Sequence, residues 1–185
     1  MVLGGPEVGA AFSALSFDHL LFTGSTDVGR KVMMAAGGNL VPLTLELGGK
    51  SPVIVARGHA GERTLGSIVF GKLSNSGQTC VAPDYALVHE DDLAAFVEGY
   101  GKAVARAYPA GPTSDDYTSI VSDRHFARLQ GLLDDARDRG AQVTAVGARP
   151  ETAATRPRTL APTLVLNAGD DAAVVHVDAE RLDRA

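Results

Sequence analysis

Apolar positions along the chain switch between a helical and a strand period, and that switching predicts helices and strands in alternation. Val8 to Leu15 reads as a short helix and Leu20-Leu21-Phe22 as a buried strand. Thr23 to Gly29 is a polar strand-to-helix turn in which Ser25, Thr26 or Asp27 can serve as N-cap. Val28, Val32 and Ala36 then share one helical face, and Gly37-Gly38-Asn39 end the helix with residues that tolerate positive φ. Strands are expected over Val41 to Leu47 and at Val53-Ile54-Val55. Beyond Gly61, the spacing of Leu65, Ile68, Val69 and Leu73 predicts a helix that leads into a Ser74 to Cys80 loop.

Ala86-Leu87-Val88-His89 reads as the next strand, and Asp91-Asp92 opens a helix carrying Leu93, Phe96, Val97, Tyr100 and Val104. Pro109 to Pro112 breaks that helix. Ser122 caps another, with Phe126, Leu129, Leu133 and Ala136 on one face and Gly140 as its stop. Short strands at Val143 to Val146 and Thr163 to Leu166 flank a polar, proline-containing loop from Ala148 to Arg158. The expected fold class is α/β, with a largely parallel sheet. No internal repeat is present in the sequence.

The 185 residues, 45% hydrophobic and 21% charged, are those of an ordinary globular chain. A formal net charge of -5 without a clustered basic face argues against nucleic acid or an anionic membrane as partner. No apolar run approaches the roughly 20 residues of a membrane helix. The first residues lack the basic start and apolar stretch of a secretory signal, and a cytoplasmic location is expected. Five histidines stand singly, so no metal site is expected.

Cys80 is the single cysteine and closes the run Ser74-Asn75-Ser76-Gly77-Gln78-Thr79-Cys80. It has no partner for an internal disulfide, so it is either a packing residue or a nucleophile whose thiolate is favoured locally. Polar residues before it and Val81-Ala82 after it place the sulfur at the edge of apolar structure. Glu46 precedes it by 34 positions, between Leu45 and Leu47 in a strand that reads as buried. Burial there would raise the carboxyl pKa and suit it to general-base work, and the alternative is an ion pair with a cation such as Lys50. Gly48-Gly49-Lys50-Ser51 looks like a phosphate-binding loop but lacks the glycine that Thr44 replaces, and a strand follows it rather than a helix. Gly24 to Gly29 is the better nucleotide candidate, because a helix N-terminus attracts a pyrophosphate.

Phe22-Thr23-Gly24-Ser25-Thr26-Asp27-Val28-Gly29, Leu45-Glu46-Leu47-Gly48-Gly49-Lys50-Ser51-Pro52 and Gly77-Gln78-Thr79-Cys80 together resemble the aldehyde dehydrogenase superfamily in order and spacing. Val81-Ala82-Pro83-Asp84-Tyr85, Asp116-Tyr117-Thr118-Ser119-Ile120 and Asp123-Arg124-His125-Phe126 resemble its class 3 and coniferyl aldehyde dehydrogenase branch. The resemblance implies that Cys80 adds to an aldehyde, that hydride passes to NAD or NADP, and that Glu46 activates water to release the acid. It also implies that the Cys80 N–H forms part of an oxyanion site. Gly24, Ser25, Thr26, Gly29, Leu47 and Gly48 would lie against the cofactor, with Ser25 contacting the pyrophosphate.

By the same resemblance, residues 1–47 are the end of a Rossmann-like cofactor domain and 48–172 part of a catalytic domain, while the tail 173–185 is unlike the family. The chain is then a truncated form, and open sheet edges imply a complementing chain or a homo-oligomer. Two other functions stay open: a non-catalytic remnant or subunit-binding piece, and a cysteine hydrolase that would need a histidine beside Cys80.

Overall fold

Met1–Gly49 form one unit and Lys50–Ala185 a second in the computed structural model, which describes residues 1–148 and 156–176. In the first unit, helix α1 (Pro6–Ser13) begins two residues earlier than expected, with Pro6 in the first turn, where its missing N–H costs nothing. Strand β1 (Leu20–Gly24), helix α2 (Thr26–Gly37) and strand β2 (Leu43–Leu47) follow. β1 and β2 pair in parallel from Leu20↔Leu43 to Gly24↔Leu47, so the chain must cross over between them, and α2 is that crossover.

α2 ends differently from the expectation. Gly38 keeps a helical φ of -60°, and the left-handed residue is Leu40 at φ 57°. Leu40 occupies this position because the Val41 N–H closes back on the Ala36 carbonyl. Asn39 instead donates its side-chain amide to the Ala14 carbonyl at 2.6 Å.

In the second unit, strand β3 (Ser51–Val55), helix α3 (Glu62–Leu73) and strand β4 (Pro83–Val88) form another parallel crossover. β4 starts three residues ahead of the expected Ala86, since proline is tolerated at the first position of a strand. Helix α4 (Leu93–Ala107) starts later than expected, after a 3-10 turn over Glu90–Asp92. Asp91 and Asp92 are spent elsewhere: Asp91 pairs with Arg57, and Asp92 accepts the Gly58 N–H at 2.6 Å.

Helix α5 (Asp123–Asp138) is capped by the Ser122 hydroxyl, which accepts the His125 N–H as its sequence promised. Strands β5 (Gln142–Ala145) and β6 (Thr163–Leu166) pair antiparallel. The expected α/β class and its mostly parallel pairing hold, but the one sheet expected is replaced by three two-stranded sheets among the described residues, two parallel and one antiparallel. The last pair runs antiparallel from Gln142↔Leu166 to Ala145↔Thr163. Most of the proline-containing loop expected there, residues 149–155, lies outside the described residues.

Val55, Leu65, Val69, Leu73, Phe96, Tyr100 and Val104 form the core of the second unit, where β3, α3 and α4 meet. Phe96 is 5% exposed and its ring stacks on Tyr100 at a centroid distance of 6.0 Å. Phe96→Ala should therefore cost about 3–5 kcal/mol. In urea unfolding this moves the midpoint down by about 1 M or more. An unchanged midpoint would remove Phe96 from the core.

Candidate active site

In the first unit, both sequence motifs meet at one edge. The register sets Gly24 beside Leu47, so the turn into α2 and the Glu46-Leu47-Gly48 segment share the C-terminal end of the parallel pair, where α/β sheets bind ligands. Ser25 is the N-cap, and its hydroxyl accepts the Val28 N–H at 3.3 Å. Gly29 is buried, and a Cβ there would stand 2.8 Å from Leu47 Cδ2 and 3.7 Å from the Phe22 ring. Its missing side chain thus lets the first turn of α2 lie against β2. A Cβ on Gly24 would meet the same Phe22 ring at 2.5 Å.

This edge fits a dinucleotide pyrophosphate, since a helix N-terminus opens at a glycine-narrowed strand end. Asp27 works against an anion there, but Lys31 neutralises it through an ion pair of 2.6 Å.

Glu46 is exposed, which corrects the reading of its strand as buried around it. Successive residues of β2 face opposite sides. Leu47 faces α2, while Glu46 falls on the other face beside Thr23, which is also exposed. Lys50 belongs to the second unit, where it forms an ion pair with Asp84 and donates to the Val174 carbonyl at 2.6 Å.

In the second unit, the approach to Cys80 is an unusual turn. After α3 the backbone takes three consecutive left-handed residues, Asn75 at φ 52°, Ser76 at φ 54° and Gly77 at φ 78°. Each non-glycine residue in that region costs on the order of 1–2 kcal/mol, so local bonds must hold the turn. Asn75 Nδ2 donates to the Gln78 carbonyl at 3.1 Å, and the Gln78 N–H returns to the Asn75 carbonyl at 3.1 Å. Gly77 is required twice over, because a Cβ there would also stand 3.1 Å from the Lys72 carbonyl oxygen.

The chain then makes a turn closed by the Ala82 N–H on the Thr79 carbonyl at 3.0 Å. Cys80 is the second residue of this turn and is exposed, while Ala82 is buried at 7%. Cys80 is thus not part of the core that the described residues form. Among the described residues the Cys80 N–H donates to no acceptor.

Two further features support the loop. The segment Tyr117 to Val121 backs it: Ser76 Oγ donates to the Thr118 carbonyl, and the Gln78 side chain bonds to Ser119 and Val121. Arg158 exchanges hydrogen bonds with Ile120, and Arg156 reaches the Ser114 and Tyr117 carbonyls. Beside the turn, Lys72 Nζ lies 3.7 Å from the position of a Cβ on Gly77 and 3.8 Å from Asp84. Burial pushes the Lys72 ammonium below the ordinary lysine range, Asp84 opposes that, and Lys50 adds to it. Neither support was anticipated from the sequence, where the only trace of the first is the polar run Thr118-Ser119.

Cys80 and Glu46 therefore lie in different units, and the glycine turn shares its unit with Glu46. Among the described residues no cluster of His, Cys, Asp or Glu could hold a metal ion, and no helix is long and apolar enough to cross a membrane.

The aldehyde dehydrogenase family model matches residues 1–179. The chain is 48% identical over 174 residues to a "Probable coniferyl aldehyde dehydrogenase" of Caulobacter vibrioides, covering 94% of this chain and 36% of that protein. It is 46% identical over 176 residues to the coniferyl aldehyde dehydrogenase of a Pseudomonas species, covering 95% and 37%. Among solved structures it is similar to the substrate-bound state of Staphylococcus aureus AldH, with a TM-score of 0.79, 39% identity, and 94% and 36% covered. It is also similar to the NADP-dependent glyceraldehyde-3-phosphate dehydrogenase of Bacillus halodurans complexed with NADP, with a TM-score of 0.77, 28% identity, and 94% and 35% covered. The chain thus spans little more than a third of the length of these relatives.

Proposed function

Because the chain belongs to the aldehyde dehydrogenase family, we propose that it takes part in the NAD- or NADP-dependent oxidation of an aldehyde to a carboxylic acid, with Cys80 as nucleophile and Glu46 as general base. The observation that carries this reading is the exposed Cys80, presented at the tip of a braced turn in a family whose members are named for that reaction. The reaction consumes aldehyde, water and oxidised dinucleotide and yields acid, reduced dinucleotide and a proton. A bound NAD or NADP supplies the hydride acceptor. The remaining work falls to the chain's own groups. Cys80 Sγ bonds to the aldehyde carbon, and the Cys80 N–H is available to the oxygen that becomes negative. Loss of hydride leaves the acyl group on sulfur as a thioester. Glu46 then takes a proton from water as it attacks that carbonyl, and the C–S bond breaks to free the acid and the thiolate. The similarity to coniferyl aldehyde dehydrogenases makes an aryl-substituted aldehyde the first substrate to test.

A second reading, a subunit-binding piece, is favoured by the outer face of the β3–β4 pair. Ile54 and Leu87 lie opposite each other there at 77% and 54% exposure, whereas parallel strands are ordinarily covered on both faces. One titration separates the two. NADH or NADPH added to the purified chain should show saturable enhancement of cofactor fluorescence. Gly29→Val should weaken that binding about tenfold, by wedging the start of α2 away from Leu47. A wild-type chain that binds neither dinucleotide would overturn the catalytic reading and leave the subunit-binding one.

A further inference from the structure

We infer that Gln78 is the positioning residue for Cys80: its side-chain amide clamps the loop that presents the thiol onto the Ser119 to Val121 segment. The inference rests on the reading of Cys80 as nucleophile. Gln78 Oε1 accepts the Val121 N–H at 2.9 Å, and Nε2 donates to the Ser119 carbonyl at 3.2 Å and to the Asn75 carbonyl at 3.0 Å. One donor and two acceptors converge, so only a primary amide in this orientation satisfies all three, and a carboxylate would lose both donated bonds. Asparagine is shorter by a methylene and would not span the gap.

The amide acts on both sides of the strained turn. Its bond to Asn75 closes the left-handed residues upon themselves, and its bonds to Ser119 and Val121 join them to a part of the chain 41 and 43 positions away. That second anchor is itself fixed, since Arg158 and Ile120 exchange hydrogen bonds of 2.8 and 2.9 Å and the Tyr117 hydroxyl donates to the Leu160 carbonyl at 2.8 Å. Cys80 lies two residues beyond Gln78, on a turn whose other end enters β4 through the buried Ala82. Without the clamp, three left-handed residues would have, among the described residues, only the Asn75 bonds and the Ser76 hydroxyl to hold them, and the thiol would sample several positions.

The single cysteine makes this measurable apart from turnover. A nitroxide attached to Cys80 of the full chain should give a predominantly immobilised paramagnetic-resonance spectrum. In Gln78→Ala the mobile component should predominate, while the melting temperature reports any general loss of fold. Gln78→Glu, which keeps an oxygen for Val121 but not the donated bonds, should fall between them and serves if the alanine variant does not fold. Unlabelled Gln78→Ala should lose between about tenfold and a hundredfold in kcat for aldehyde oxidation, with KM for the dinucleotide unchanged. A nitroxide spectrum that is the same in wild type and every folded variant would overturn the clamp. A wild-type chain that shows the expected spectra yet never oxidises an aldehyde would instead remove the nucleophile reading, leaving the clamp as a loop brace.

Discussion

Cys80→Ala is expected to abolish aldehyde-dependent formation of NADH or NADPH while leaving dinucleotide affinity as it is in the unaltered chain. The proposed route runs through a bond to the sulfur, so its removal leaves no lower-energy path for hydride loss, and kcat should fall on the order of 10³-fold or more. Cys80→Ser should be nearly as inactive, since a hydroxyl is far more weakly acidic than a thiol and the loop places no histidine beside it among the hydrogen bonds of the described residues. The loss cannot be blamed on packing. Cys80 is exposed, and substitutions at such positions ordinarily change stability by no more than about 0.5 kcal/mol. Calorimetry of the variant should show a melting curve close to that of the parent. Activity within tenfold of the parent would sink Cys80 as nucleophile, whatever the family resemblance.

How far the sequence could be read depended on the range of the interactions. Helical faces were legible because their signal is local. Val32 and Ala36, Leu65, Val69 and Leu73, and Phe96, Tyr100 and Val104 are buried where the 3.6-residue spacing puts them. Along α5 the spacing pointed to Leu133, whereas its neighbour Leu132 is the buried one, a shift of one position on the same stripe. The Ser25 and Ser122 caps were legible for the same reason, each bond spanning three residues.

Glu46 was misjudged because its neighbours in sequence are its opposites in a strand. Leu45 and Leu47 fall on the face that α2 covers, and this sends the residue between them outward. The braces of the Cys80 loop were not legible at all. Gln78 could be seen as polar, but nothing local says that its partners are Ser119 and Val121. The same holds for Asp84, which sits between Lys50 and Lys72 only because β3 and β4 pair in parallel with a shifted register at Ser51 and Pro52.

Glu46→Gln should separate the two halves of the proposed reaction. The substitution keeps the size and the hydrogen-bonding shape of the side chain but removes its capacity to take a proton from water. Formation of the thioester needs Cys80 and the dinucleotide and not Glu46, so rapid mixing with aldehyde should still release about one equivalent of reduced dinucleotide per active chain. Steady turnover should then fall by about 10²- to 10⁴-fold, the usual worth of a positioned base. The stalled acyl group should add its mass to the peptide containing Cys80, and Cys80 is the single thiol in the chain. Because Glu46 is exposed beside Thr23, the exchange should leave the fold of the first unit undisturbed. A burst that disappears together with turnover would place Glu46 in the first step or in the structure of the site. A steady rate equal to that of the parent would assign water activation to another group.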